Sequence, residues 1–408
     1  MIKKYLYCWG VSYSGQLGLG SAITSQYQPK KLKDLTINAD YRHYPKQIKT
    51  GSYHTLLTYN SQLYVWGDHK QGQLGLGGGS SNSLVGRYDD HHHSQFTPVL
   101  HPFFDRSKFE IKSIGCGGYH SIDTYETYAF GRNNEGQLGI GSAQFTSILE
   151  PTLIPDLTGV QIKHISCGPN YTVLVTNDNI VYSFGMNDFG QCGQKVDSAT
   201  GGRVTKPTVI KELSGINGVD KVTSGWGHTL MVTNNGDSLI TWGSNFHGQC
   251  GVGTKGKDPI TVQQVKLING NSNNNSKIID ISCGSAASIA VVNDNGGSNT
   301  LIWGSCGDGK LGGNQTEDLK SPTPMDNLPN TINKVAFGTD HCLASTTDNR
   351  LFGWGFGQHG ALGVGSTRDQ LKVYKTPIEI KSELNNYAID DIESSIDTSF
   401  AIVSDISI

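Results

Sequence analysis

The chain runs to 408 residues with 52 glycines and only 16 % charged side chains, a balance that excludes a charge-rich disordered chain and suits a turn-rich all-β protein better than a helical one. Its formal net charge of −3 gives no electrostatic reason to expect nucleic-acid binding, so no direct nucleic-acid contact is expected, and no apolar run approaches the ~18 residues of a membrane-spanning helix. The opening residues, MIKKYLYCWG, hold neither an apolar leader core nor a cleavage site, from which a soluble intracellular protein is expected, cytoplasmic first and nuclear second.

Trp9 opens the first motif of the chain: an aromatic residue, Gly, four variable residues, Gly, then Gln-Leu-Gly or a close variant, here WGVSYSGQLG. A second motif begins at Gly51, Gly-x-x-His-Ser/Thr followed by alternating apolar residues, and GSYHTLLT leads through a tight turn into QLYVWG and the next aromatic-Gly copy, WGDHKQGQLG from Trp66. The two motifs predict paired strands of a β-hairpin, whose antiparallel course puts His54 and Trp66 at the same end and opens both motifs onto one face. The longest insertion, Gly78 to Lys108, follows. Its Arg87, Tyr88, Asp89 and Asp90 are candidate partner contacts, because loops often carry function. The adjacent His91, His92 and His93 are not spaced to converge on one ion, so no metal site is expected.

The pair of motifs then recurs: GGYHSIDT at Gly117 with FGRNNEGQLG, GPNYTVLV at Gly168 with FGMNDFGQCG, and GWGHTLMV at Gly225 with WGSNFHGQCG. After the asparagine-rich stretch Asn269 to Lys277, read as a flexible loop, come GSAASIAV at Gly284 with WGSCGDGKLG, and GTDHCLAS at Gly338 with WGFGQHGALG. Each unit is long enough for four short strands, one blade of a propeller. The first copy lacks a Gly-x-x-His partner upstream, and the counterpart lies at the far end in SIDTSFAIVSD, with Thr398 in the histidine slot and Ser399 in the Ser/Thr slot. Phe400 to Val403 are therefore expected to pair with Leu6 to Trp9. The fold expected is an all-β seven-bladed β-propeller of four-stranded blades, one domain over residues 1–408, its ring closed by the two terminal strands, which removes exposed sheet edges.

Six tryptophans and two motif phenylalanines are expected to pack between blades at about 2 kcal/mol per side chain, while ordering the backbone costs roughly 1–2 kcal/mol per residue, so no lone blade is stable. Seven of the eight cysteines fall at positions that the repeat explains, and are read as small buried hydrophobes; Cys306 alone lacks such a place, and without a CxxC pair no zinc site is expected.

The aromatic-Gly-x4-Gly-Gln-Leu-Gly signature with Gly-x-x-His-Ser/Thr before it resembles the regulator of chromosome condensation repeat, over essentially the whole chain. The resemblance implies a seven-bladed propeller and, from the founding member, guanine-nucleotide exchange on the small GTPase Ran. It also implies an exchange face built from acidic and histidine side chains in Gly-x-x-His loops, with a wedge inserted in an early blade. Gly338-Thr339-Asp340-His341 is similar to such an acidic loop, and the insertion Gly78 to Lys108 is the candidate wedge. No counterpart of the founding member's basic N-terminal nucleosome-docking tail is expected. The plant ultraviolet-B photoreceptor of the same family uses tryptophans in Gly-Trp-Arg-His-Thr loops. Only Gly225-Trp226-Gly227-His228-Thr229 resembles these, without the arginine; Ser52, Gly118, Pro169, Ser285 and Thr339 fill the equivalent slots.

Residues that repeat across blades are read as structural and those that differ as recognition candidates. His54, His120, His228 and His341 are expected to hydrogen-bond backbone at the blade mouth, with a rim contact to a partner as their second role. Tyr53, Tyr119, Tyr171, Trp226 and Asp340 are expected to present aromatic and acidic groups on one face for a protein partner. No nucleophile-base pair and no phosphate-cradling loop appears, so neither catalytic chemistry nor a cofactor is expected. The reading that follows is a monomeric protein-interaction propeller with exchange on a Ran-like small GTPase as its most specific activity. A scaffold or adaptor without exchange is the alternative, and an ultraviolet-B sensor a weaker one.

Overall fold

The computed structural model describes residues 3–33, 45–59, 62–77, 94–104, 111–124, 126–143, 146–196, 202–267, 276–294, 296–365 and 373–406. Arg87 to Asp90, the three adjacent histidines and the run Asn269 to Asn275 lie outside them. Closing the ring takes strands from both ends of the chain, β1 (Lys4–Val11) and β2 (Ser25–Lys31). The first blade is then β3 (Pro45–Thr50), β4 (His54–Tyr59), β5 (Gln62–Asp68) and β6 (Ser94–Leu100). The second is β7 (Ile114–Cys116), β8 (His120–Thr124), β9 (Thr127–Arg132) and β10 (Ser147–Leu153). The third is β11 (Ile162–Cys167), β12 (Tyr171–Thr176), β13 (Val181–Met186) and β14 (Arg203–Val209). The fourth is β15 (Val219–Ser224), β16 (His228–Thr233), β17 (Ser238–Gly243) and β18 (Ile260–Gln264). The fifth is β19 (Lys277–Cys283), β20 (Ala287–Asp294), β21 (Gly297–Gly304) and β22 (Leu319–Pro324). The sixth is β23 (Ile332–Phe337), β24 (His341–Thr346), β25 (Leu351–Phe356) and β26 (Val373–Glu379). Finally β27 (Tyr387–Ser394) and β28 (Thr398–Asp405) join β1 and β2 in the order β2-β1-β28-β27. The insertion after Trp66 thus contains β6, the blade's own outer strand.

Register at the closure follows the repeat. Thr398 stands opposite Gly10 as His54 stands opposite Gly67, which aligns Trp9 with Ser399 and Leu6 with Ile402. The paired stretch is one residue earlier than expected from the sequence, because the histidine slot itself sits across from the motif glycine. That glycine is required by close approach: Gly10 has φ +103°, and a Cβ there would lie 2.1 Å from the Asp397 carbonyl.

Second strands such as Tyr171–Thr176 are buried on both faces, since blades pack face to face, and so read as continuous runs rather than alternation. Outer strands are half-exposed edges, and β2, β6, β10, β14, β22 and β26 each carry a proline, which removes a donor that another chain's strand could use.

Between blades sit Trp9, Trp66, Trp242, Trp303 and Trp354 with Phe130 and Phe184, all fully buried; Trp226 is 56 % exposed, so five tryptophans rather than six build the core. Each core indole N–H donates to a carbonyl of the preceding Gln-Leu-Gly loop, for example Trp66 Nε1 to Gln16 at 2.9 Å and Trp303 Nε1 to Gln249 at 2.8 Å. The eight cysteines are all free thiols, with Cys167 and Cys306 half-buried and the rest buried.

One core position breaks the pattern. Asp123 on β8 is fully buried where the other blades place an apolar residue, Leu57, Leu174, Met231, Ala290, Ala344 or Ala401, and neither carboxylate oxygen has a hydrogen-bond partner. Burial raises its pKa well above 3.8, so the folded protein binds a proton there that the unfolded chain releases above about pH 4. Asp123→Leu is expected to stabilise the protein at pH 7 by about 2–4 kcal/mol, read from denaturant midpoints, with the gain shrinking toward pH 4.

Candidate partner-binding face

The Gly-x-x-His turn and the aromatic-Gly-x4-Gly loop of each blade are tied together by one backbone bond. Asp68 N donates to Tyr53 O, Arg132 N to Tyr119 O, Ser244 N to Gly227 O, Phe356 N to Asp340 O and Val11 N to Asp397 O, all at 2.7–2.9 Å. Both motifs therefore open onto the same face in every blade. Within the x4 loops Asn133, Asn187 and Asn245 accept, through Oδ1, the backbone N–H five residues on, and Gln16, Gln73, Gln137, Gln191 and Gln249 accept, through Oε1, the N–H two residues before. These side chains shape the loops. They leave the remaining positions free to vary.

The repeated histidines are enclosed. His54, His120, His228 and His341 are at most 1 % exposed, and each Nε2 meets a hydroxyl of the next blade: Ser121 at 2.9 Å, Thr172 at 3.0 Å, Ser288 at 2.8 Å and Ser399 at 2.9 Å. Each of those hydroxyls donates onward to a backbone carbonyl of the Gln-Leu-Gly loop, of Gln73, Gln137, Gln249 and Ala361 respectively. The hydroxyl proton being used, each imidazole must donate from Nε2, which makes it the neutral Nε2–H tautomer with Nδ1 unpartnered. Burial lowers the pKa of the first three to about 3 and of His341 to about 4. The histidines thus latch one blade to the next through hydroxyl groups rather than through backbone, and a partner cannot reach them.

Tyr171 is a correction of the same kind. It occupies the histidine slot of the third blade, is fully buried, and its hydroxyl donates to the His228 carbonyl at 2.7 Å while meeting Thr229 Oγ1 at 3.2 Å. In the fifth blade Ala287 fills that slot, and the sixth blade correspondingly offers Cys342 instead of a hydroxyl.

The two variable positions of the Gly-x-x-His turns separate by radius. The first, Ser52, Gly118, Pro169, Trp226, Ser285, Thr339 and Ile396, rings the mouth of a central cavity of about 310 Å³. Its wall carries charge pairs that bridge neighbouring blades, Lys49 with Glu393 at 2.7 Å and Lys221 with Asp280, together with Asp391, which Lys334 meets at 3.3 Å. The second position lies at the blade mouths and reads Tyr53, Tyr119, Asn170, Gly227, Ala286, Asp340 and Asp397. Tyr53 and Tyr119 pack with ring centroids 5.6 Å apart beside Arg132. In the sixth blade, two along the ring from that of Tyr53, Asp340 pairs with the buried Lys310 and accepts from Ser285 Oγ at 3.3 Å. Burial, then the nearby Asp340 charge, raises the pKa of Asp397 to about 6.

Three exposed aromatics of the x4 loops escaped the sequence reading: Tyr13, and Phe189 with Phe246 in an edge-to-face pair 5.6 Å apart. Their only signal is an aromatic ring at a loop position that is polar in most copies. Asp397 was hidden because its turn lacks both glycine and histidine, and Lys310 because it replaces the glutamine of Gln-Leu-Gly. Among the described residues no three His, Cys, Asp or Glu side chains converge as a metal site, and no helix is long and apolar enough to cross a membrane.

A family model described as RCC1-like domain matches residues 3–290, and models of the regulator of chromosome condensation (RCC1) repeat match residues 348–402 and 332–361. The chain is 30 % identical to the ultraviolet-B receptor UVR8 of Arabidopsis thaliana over 371 residues, covering 89 % of this chain and 75 % of that one. It is 27 % identical to the RCC1 domain-containing protein RUG3, mitochondrial, of the same plant, covering 93 % and 83 %. Among solved structures, Prp20p from Saccharomyces cerevisiae, whose crystal structure was described with its binding properties to Gsp1p and histones, superposes with a TM-score of 0.81 at 21 % identity over 99 % of this chain and 92 % of that one.

Proposed function

The chain belongs to the regulator of chromosome condensation family, and on that premise we propose that its loop face binds a protein partner, a small GTPase whose bound nucleotide the propeller releases. One observation carries the reading: the second turn position, structurally equivalent in all seven blades, is divided between an aromatic side at Tyr53 and Tyr119 and an acidic side at Asp340 and Asp397. Asp340 answers the charge of the buried Lys310, but Asp397 forms no ion pair among the described residues, so the closing blade holds a half-buried carboxylate that the packing of the ring does not use. Exchange requires tighter binding to the nucleotide-free GTPase than to the loaded one, and no acid or base catalyst. The binding of Gsp1p by Prp20p, a protein of the same shape, supports this partner class.

The test is release of a fluorescent guanine nucleotide from a panel of small GTPases. At least one is expected to release at least about 100-fold faster with the propeller present, and Asp340→Ala with Asp397→Ala to remove about 10-fold or more of that acceleration. If no GTPase responds while affinity capture from cytosolic or nuclear extracts returns a stable partner, the protein is an adaptor. Light sensing has less support: five of the six tryptophans are enclosed in separate blade junctions with their N–H groups bonded, and Trp226 stands alone in its ring of turn positions.

A further inference from the structure

Between the mouths of the first two blades lies a second cavity, of about 490 Å³, lined by Ser14, Tyr53, Asp68, Lys70, Tyr119 and Arg132 among others. We propose that this cavity is a subsite for an acidic peptide segment, in which Arg132 and Lys70 take a carboxylate and the two tyrosine rings hold the chain that bears it. The inference deepens the partner-binding reading above and rests on it.

The guanidinium carbon of Arg132 stands 5.8 Å from the centroid of Tyr119, which packs in turn on Tyr53, so the fork of donors is held by stacking at the cavity wall. Asn134 steadies it: in the orientation that satisfies both ends of its amide, the oxygen accepts from Arg132 at 3.3 Å and the nitrogen donates to the Thr146 carbonyl at 2.9 Å. Among the described residues neither Arg132 nor Lys70 forms an ion pair. The one carboxylate facing the same space is engaged within its own loop: Asp68 accepts from the Lys70 backbone N–H and from Gln73 Nε2, both at 3.0 Å. Two cations against one anion leave a single positive charge in excess. That excess suits one carboxylate better than a doubly charged phosphate, since the backbone N–H groups of Ser14, Asp68, Lys70, Gln71 and Arg132 are already bonded within the loops. The volume exceeds what one carboxylate fills and falls in the range of sites that enclose several ligand groups. Tyrosine faces with hydroxyl tips match the methylenes and backbone of a peptide.

The net charge of −3 on the whole chain repels polyanions at long range, so capture of an acidic peptide reports on this local arrangement. The experiment is fluorescence polarisation of fluorescein-labelled decaglutamate with the full chain, against decalysine and with inorganic phosphate as competitor. Decaglutamate is expected to bind, decalysine not, and Arg132→Gln with Lys70→Gln to weaken binding by about 10-fold or more, with unchanged thermal midpoint as proof of folding. Asp68→Asn is expected to strengthen it by removing the competing anion. The proposal is overturned if decaglutamate does not bind, if the double variant binds as well as the parent, or if phosphate displaces the peptide at equal charge concentration, which would make the cavity a small-anion site. Running the nucleotide-release panel on the same variants separates the two readings: exchange without decaglutamate binding removes this subsite and leaves the proposed function standing.

Discussion

Deleting residues 398–408 is expected to leave a chain that does not unfold cooperatively and that aggregates, whereas a circular permutant that keeps every residue folds. The deletion removes β28, which pairs with β1 over seven residues and with β27 on its other side, so the closing blade loses an interior strand and two edges open. Phe400, Ala401, Ile402 and Val403 leave the core with it, all at most 2 % exposed, and Ser399 no longer receives His341 or bonds the Ala361 carbonyl. Burial of these side chains alone is worth about 2 kcal/mol each, and their sum is comparable to the whole stability of an ordinary domain. The permutant joins the old ends, which lie side by side where Asp405 N donates to the Lys3 carbonyl at 3.0 Å, and opens the chain after Gly159, in a turn where a Cβ would meet nothing within 4 Å. Circular dichroism and a urea transition distinguish the outcomes. A cooperative transition in the truncated chain would show that the ring does not depend on its closure.

Stability is expected to collapse below pH 6, driven by the four inter-blade histidines. Their folded pKa values, about 3 for His54, His120 and His228 and about 4 for His341, lie below the ordinary 6.5 because burial disfavours the imidazolium. The sign is that of depressed groups: above pH 6.5 both folded and unfolded chains hold neutral rings and the stabilisation is complete, and below it the unfolded chain takes up protons that the folded one refuses. Each such proton costs about 1.4 kcal/mol per pH unit, so four together give a slope of roughly 5 kcal/mol per unit between pH 6 and 4. His101, lowered by burial to about 3, and His164, lowered as well, add to this slope, whereas Asp123, Asp397 and Glu393, with raised pKa values, act in the opposite direction and bring the net slope to roughly 3–4 kcal/mol per unit. Denaturant midpoints from pH 7.5 to 5 should follow this slope, and His228→Gln should reduce it by one proton while costing about 1–3 kcal/mol at neutral pH through the orphaned Ser288. A flat profile between pH 7 and 5 would refute the latch assignment.

The propeller was legible because its signals repeat. A glycine opposite the histidine slot, a buried aromatic before it and a Gln-Leu-Gly after it each answer a local requirement, a backbone approach, a gap between blades or a loop bond, and those requirements recur seven times along the chain. Even the closure could be counted out to Thr398, although its pairing stretch needed correction by one residue. The site was less legible for the same reason. Residue type does not set placement: Tyr171 sits one position beyond Tyr53 and Tyr119 in its turn and points inward to do the work of a histidine, while Trp226 sits one position before and reaches the central mouth.

Blade number, strand order and ring closure were thus determined by the amino-acid sequence itself, since each follows from backbone and packing demands that only certain residues meet. Which side chains meet on the face was decided by the tertiary structure alone. Tyr53 and Tyr119 are far apart along the chain, as are Asp340 and Asp397, and each pair becomes neighbours only because adjacent blades place equivalent turns side by side. The charge division of the face, and the cavity beside Arg132, depend on that juxtaposition across blades, for which no repeat within one blade carries a signal.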